Sequence, residues 1–207
     1  MKPITFLFIT FIFTISANCQ NHIALRTGIF FSKQDYSSLL ITDEVKGLEL
    51  GLSTRIFLYE SGFVQPEISF IQKGGLWKNP MDDFEIKINQ LEIAALLGYE
   101  LKLKNLSIFP NLGIFIGKNI NEGTRGNPFN NFDYVAFIDE DIEWGFIYGG
   151  GIGIQLGKGK LFAEYRYRFS KKHFRLIDRG SSPTNTLPNI KITNKGWGFN
   201  FGYALLL

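Results

Sequence analysis

Acid–base or nucleophilic chemistry in this chain would have to use very few side chains. There are two histidines, His22 and His173, and one cysteine, Cys19. Ser170, His173 and Glu143 are the one set that could supply a nucleophile, a base and an orienting carboxylate. Ser170 and His173 sit close together in one segment, however, and residues so placed on one strand are poorly set to meet. We therefore expect no catalytic residue, and His173 reads as a solvated loop residue. Asp139, Glu140 and Asp141 form a dense carboxylate run, but they lack the spaced oxygen ligands of a dedicated calcium loop. No metal site and no cofactor-binding site is expected. A single cysteine allows no intrachain disulfide.

Ten further charged residues share a different pattern. Arg26, Arg55, Arg166 and Arg168 and Glu49, Glu67, Glu92, Glu100, Glu143 and Glu164 all fall on one phase of alternating segments. Charges with that placement can pair and fill a lumen, and a structural ion-pair network is the leading reading. A narrow ion path or proton relay is the alternative.

The elements carrying those charges are strands. Residue types alternate with period two, the period of a strand with two different faces. In the first segment Ile23, Leu25, Thr27, Ile29 and Phe31 oppose Ala24, Arg26, Gly28 and Phe30. In the second Leu48, Leu50, Leu52, Thr54 and Ile56 oppose Glu49, Gly51, Ser53, Arg55 and Phe57. Equivalent segments run from Val64, Leu91, Leu106, Ile142, Leu161 and Trp197. The apolar faces carry no charge; the opposite faces mix charges with Gly, Ser and Asn. One face is built for an apolar solvent and the other for a narrow, polar interior. This predicts an all-β fold, an eight-stranded antiparallel up-and-down transmembrane barrel. A soluble lipocalin-like ligand-binding barrel would need the reverse dressing.

Connections alternate in length, as outer-membrane barrels require. Short turns are expected at Tyr59-Glu60-Ser61, Lys102-Leu103-Lys104 and Gly157-Lys158-Gly159. Long loops are expected over 33–46, 74–86, 118–140 and 171–190. Tyr36, Trp77, Phe129 and Phe132 would offer those loops a recognition surface. Asn119, Asn121, Asn127, Asn130 and Asn131, with Gly123 and Gly126, suit a mobile loop. Phe31, Phe70, Trp144, Phe169 and Trp197 would form one aromatic girdle, with Tyr99 and Tyr203 near the other rim. Pro66 and Pro110, outward on closed strands, predict local bulges.

The N-terminus reads as an export signal over 1–19, with Lys2 ahead of an apolar stretch at 4–15 and small residues at Ala17 and Cys19. Cleavage after Cys19 would begin the barrel domain, 20–207, at Gln20. A lipid-modified Cys19 is the lesser alternative, since Asn18 and Ser16 suit that site poorly. Mean hydropathy is only +0.02, as expected when every second residue faces lipid. The net charge of +3 falls to +2 without Lys2 and argues against nucleic acid.

Several stretches resemble the Bacteroidetes outer-membrane β-barrel family called PorT-like: QPEISFIQKGG (65–75), INQLEIAALLGYEL (88–101), PNLGIFIG (110–117) and YGGGIGIQLGKGKLFAEYRYRFS (148–170). The family's fourth strand commonly reads Tyr-Leu-Glu-Ile-Pro, where this chain has Gln90-Leu91-Glu92-Ile93-Ala94. The chain also ends on Leu207 rather than an aromatic. The resemblance implies an outer-membrane address, no cofactor and no assigned site. The expected partners are outer-membrane lipid and proteins met through the surface loops. The expected role is non-enzymatic, structural or partner-binding; a lipid-modifying enzyme is the alternative.

Overall fold

The computed structural model describes residues 21–36, 41–58, 60–78, 83–125, 134–137, 142–178 and 190–206. Eight long strands make the wall: β1 (His22–Tyr36), β3 (Val45–Phe57), β4 (Gly62–Lys78), β5 (Asp83–Tyr99), β7 (Leu106–Arg125), β9 (Ile142–Leu156), β10 (Gly159–Asp178) and β11 (Ile190–Leu206). Three short strands complete them. β2 (Ile41–Asp43) pairs β4, β6 (Leu101–Leu103) pairs β7, and β8 (Tyr134–Phe137) pairs β10. Sequential wall strands pair antiparallel, and β11 pairs both β10 and β1, so the sheet closes. Closure removes every edge along the wall, as a backbone surrounded by hydrocarbon demands.

The two faces are dressed as the alternation predicts. Leu25, Leu52, Ile93, Leu112, Trp144 and Phe201 are more than half exposed, while Arg26, Glu49, Glu92 and Arg166 on the intervening positions are buried. A soluble barrel is excluded by that inversion, because so large a continuous apolar exterior would aggregate in water.

Two short turns use left-handed backbone. Gly157 has φ 60° and Lys104 has φ 56°, a region that costs a residue with a Cβ roughly 1–2 kcal/mol. Gly157→Ala is therefore expected to lower unfolding stability by about 1 kcal/mol, read as a urea midpoint in detergent micelles.

The expectations for loops and prolines need correcting. β1 runs to Tyr36, β4 to Lys78, β7 to Arg125 and β10 to Asp178, so much of each expected loop is paired strand. Tyr36 and Trp77 lie in strands, and His173 is a strand residue whose backbone pairs with Lys191. Asn119, Asn121 and Gly123 belong to β7 and pair with β5, not to a mobile loop. Strands of 20 residues exceed the roughly 9–11 needed to cross, and above the hydrocarbon both faces meet water. There the two-face pattern loses its cause, and the sequence signal fades although the ladder continues.

No register shift occurs at either proline. The β3–β4 ladder skips the Thr54–Pro66 and Arg55–Gln65 pairs and resumes in the same register. Pro110 keeps its pairing to Gly150 on β9 while the β5–β7 ladder stops at Asn111. A missing N–H removes bonds toward one neighbour only, so each proline opens a gap rather than a bulge. The register shift found among the described residues lies opposite Asn89 and Gln90 of β5, where β7 carries Ile120 as the extra residue.

Residues 1–20, which hold the expected export signal and the Gln20 start, lie outside the described residues. So do Asp139, Glu140 and Asp141, and Gly126, Asn127, Phe129, Asn130, Asn131 and Phe132.

Candidate functional site

The lumen is the site that the wall constructs. Among the described residues twelve charged side chains are buried there: Arg26, Arg55, Arg166, Arg168, Lys73 and Lys160 against Glu49, Glu67, Glu92, Glu100, Glu143 and Glu164. Six cations balance six carboxylates. Neutrality matters because a buried charge is tolerated only when paired and hydrogen-bonded.

The charges stack in three tiers. In the middle tier they form one alternating chain across the lumen. Arg168 Nε lies 3.2 Å from Glu92, and its Nη2 donates to Glu49 at 2.6 Å. Arg26 bridges Glu49 at 2.6 Å and Glu67 at 2.9 Å. Arg166 donates to the same Glu67 oxygen at 2.6 Å, and its Nε lies 2.9 Å from Glu164. Asn111 caps the chain by donating to Glu164 at 2.5 Å, and Asn200 donates to Glu49 at 3.2 Å. Glycine makes room for it: a Cβ at Gly51 would sit 2.6 Å from Arg26 Nε.

Toward the long-loop end, Lys73 donates to Glu143 at 2.5 Å and to Gln90 at 2.6 Å. Gln90 passes a bond to Asn119 at 3.0 Å. Ser170 donates its hydroxyl to Glu143.

Toward the short-turn end the fill is part aromatic. Phe57, Phe63, Phe109 and Phe162 form a buried cluster with Ala24 and Ala204. The Arg55 guanidinium lies between two rings, 4.1 Å from the centre of Phe63 and 4.3 Å from that of Phe109. It donates to Glu100 at 2.8 Å, which also takes Lys160 at 2.7 Å. His22 packs edge-on against Phe57 at 5.5 Å.

Two lumen voids, of about 20 and 10 Å³, interrupt this packing. Each has room for about one water molecule. Chemically the arrangement fixes paired charge across the lumen.

All ten charges assigned inward from sequence are found in the lumen. Lys73 and Lys160 were missed, each lying just past the end of a recognised segment. The signal was present: Lys73 continues the phase of Gln65, Glu67 and Ser69, and Lys160 that of Phe162 and Glu164. Of the only conceivable catalytic set, Ser170 and Glu143 do touch. His173 lies farther along β10, three residues beyond Ser170. His22 stands at the other end of the barrel. Among the described residues no group of three or more His, Cys, Asp or Glu is arranged to hold a metal ion.

A family model described as outer membrane protein beta-barrel domain matches residues 44–170. Among solved structures, the chain is similar to outer membrane protein OprG from Pseudomonas aeruginosa, at 14% identity and a TM-score of 0.58 over 90% of this chain and 97% of that one. It is similar to Neisserial surface protein A, at 12% identity and a TM-score of 0.52 over 89% and 97%. It is also similar to the outer membrane protease OmpT from Escherichia coli, at 9% identity and a TM-score of 0.51 over 93% and 98%. These likenesses are of fold. A search of curated proteins found no match.

Proposed function

Because the chain belongs to the outer membrane protein beta-barrel domain family, we propose that it serves the outer membrane without catalysis, as a structural or partner-binding barrel with a plugged lumen. Its address is the outer membrane, and it crosses by strands. The observation carrying the proposal is the alternating chain from Glu92 to Glu164, which fills the lumen with fixed, paired charge. Such a barrel has nothing to transport through its centre. Recognition then falls to the strands that overshoot the hydrocarbon at the long-loop end, and a partner there would be a membrane or surface protein. Within the family we place the chain with the PorT-like barrels, on the strand and turn motifs quoted above.

Reconstitution into a planar bilayer tests the plug. We expect no stepwise conductance in 1 M KCl from the folded protein. Reproducible channel steps would replace this reading with the ion-path alternative.

The alternative reading is a lipid-modifying enzyme, for which Ser170 and Glu143 would have to act from inside the lumen, where they bond to each other. The non-enzymatic proposal predicts that His173→Ala leaves outer-membrane lipid composition unchanged in mass spectra of extracted lipid. An altered acyl pattern would establish the enzyme instead.

A further inference from the structure

The exterior wall is not uniform. Among the described residues eight aromatic side chains are strongly exposed, and seven of them lie on β9, β10 and β11: Trp144, Phe146, Tyr148, Tyr165, Phe199, Phe201 and Tyr203. On β1, β3, β4, β5 and β7 the strongly exposed large apolar side chains among the described residues are Leu and Ile, with Tyr99 the one aromatic. Lipid chains make no such distinction between walls, so the aromatic wall has a more specific neighbour.

That wall has three parts, one above another. At its base an apolar groove of about 830 Å³ runs between Leu25, Thr27, Ala163 and Phe201. The register explains it. Leu50, Thr27, Phe201, Ala163 and Ile152 are consecutive partners across five strands, so large and small residues alternate along one row. Thr27 and Ala163 form dents on either side of Phe201. Above the groove, Phe31 stacks on Trp197 with ring centres 4.2 Å apart, and Tyr165 and Phe199 adjoin the indole.

Above the aromatics, Lys33 and Lys195 are direct partners across β1 and β11. Like charges facing each other across strands are destabilising unless something negative holds them. Asp35 is the carboxylate between them, 2.7 Å from Lys195 and 4.0 Å from Lys33. One carboxylate shared by two ammoniums leaves a positive surplus. Both ammoniums remain accessible, with side-chain exposures of 43% and 42%. Lys46, exposed and paired in register with Phe31, adds a third cation, and Glu44, which accepts the Trp197 indole N–H at 3.3 Å, a second carboxylate, so these five groups keep a surplus of one positive charge.

The vertical spacing fits one lipid leaflet. Lys195 to Phe201 is six residues of antiparallel strand, about 20 Å of chain. Tilted by roughly 40°, that is about 15 Å of depth, half a hydrocarbon core of about 30 Å. We propose that the β1–β11–β10 wall binds one anionic, phosphate-bearing lipid of the outer leaflet, its headgroup on Lys33 and Lys195 and one acyl chain in the groove beside Phe201. Charge complementarity selects the headgroup, and the leaflet-length spacing selects a lipid over a soluble anion.

The test uses full-length protein in vesicles, with Trp77→Phe and Trp144→Phe leaving Trp197 as the fluorescent reporter. Brominated phosphatidylglycerol and brominated phosphatidylcholine with the same chains are the probes. Quenching of Trp197 should show a preference for phosphatidylglycerol on the order of tenfold, since each lysine near an anionic surface contributes substantially. Lys33→Gln with Lys195→Gln should bring the ratio to about one, and Lys→Arg at both positions should retain it. Ala163→Leu, which fills a dent, should weaken both lipids and leave the ratio unchanged. Equal quenching in the parent protein, or a preference that survives the double Gln variant, would overturn the proposal. The boiled and unboiled gel shift confirms that each variant is folded.

Discussion

Removing the Glu49 carboxylate by Glu49→Ala is expected to destabilise the barrel by about 3–5 kcal/mol, the range for breaking a buried ion pair from one side. Glu49 is fully buried and accepts from both Nη atoms of Arg168, from Arg26 and from Asn200. Without it, Arg168 keeps Glu92 and Arg26 keeps Glu67, but the middle of the chain is left with two close guanidiniums and no counter-charge between them. The pairing itself is weak evidence for net stability, because both partners have given up water. The loss comes from the charge left behind. Urea unfolding in detergent micelles, followed by the fast-migrating folded band, measures it. A change below 1 kcal/mol would mean that the lumen is wet enough to solvate bare guanidiniums, and the plug would be loose. The neighbouring Leu50→Ala, which only trims the outer wall, provides the contrast, since hydrocarbon fills the space.

Placing a charge on the other face should matter comparably, for the opposite reason. Ile93→Arg sets a guanidinium on the outer wall at a position that is 63% exposed. Its strand partners Ile68 and Ile116 are apolar and exposed too, so the charge has nothing to pair with. Arginine at the middle of a bilayer costs a barrel roughly 2–4 kcal/mol. The folded yield in vesicles should fall and the heat-shifted band weaken, whereas Glu92→Gln next to it would act inside the lumen, first through its bond with Arg168. An exposed arginine on a water-soluble barrel would be harmless. If Ile93→Arg folds as well as the parent, this wall does not face lipid.

The barrel was legible in the sequence because its wall separates two unlike environments. Leu48 to Ile56 and Glu49 to Arg55 take opposite chemistry at every step, and a period-two pattern forces them onto opposite faces. The inward charges were legible for the same reason. Which charge meets which was not. Arg166 touches Glu67 from a strand that is 99 residues away in the chain, and pairing at that range depends on the stagger of the whole ladder. Strand ends were misjudged where the two environments merge. From Lys118 to Arg125 the sequence is polar at every position but Ile120 and Gly123, so the residues read as a loop while their backbone still pairs with β5. The prolines misled differently: one lost donor is a small local defect, and the ladder tolerates it without changing register.

The long reach of those ion pairs has a consequence for how the chain is made. Arg168 meets Glu49 across 119 residues of sequence, and Arg166 meets Glu67 across 99. β10 and β3 become close only once β11 has joined β1, the last seam to close if hairpins zip in order. Until then Arg168 lacks both Glu49 and Glu92 on the concave side of the partly assembled sheet, and an unpaired charge is costly to bring into hydrocarbon. The seam and the charge lattice therefore complete together, and an unfinished sheet is held at the water boundary. Insertion becomes close to all-or-none, with a slow, non-local final step, and the lumen charges work as proofreading for closure.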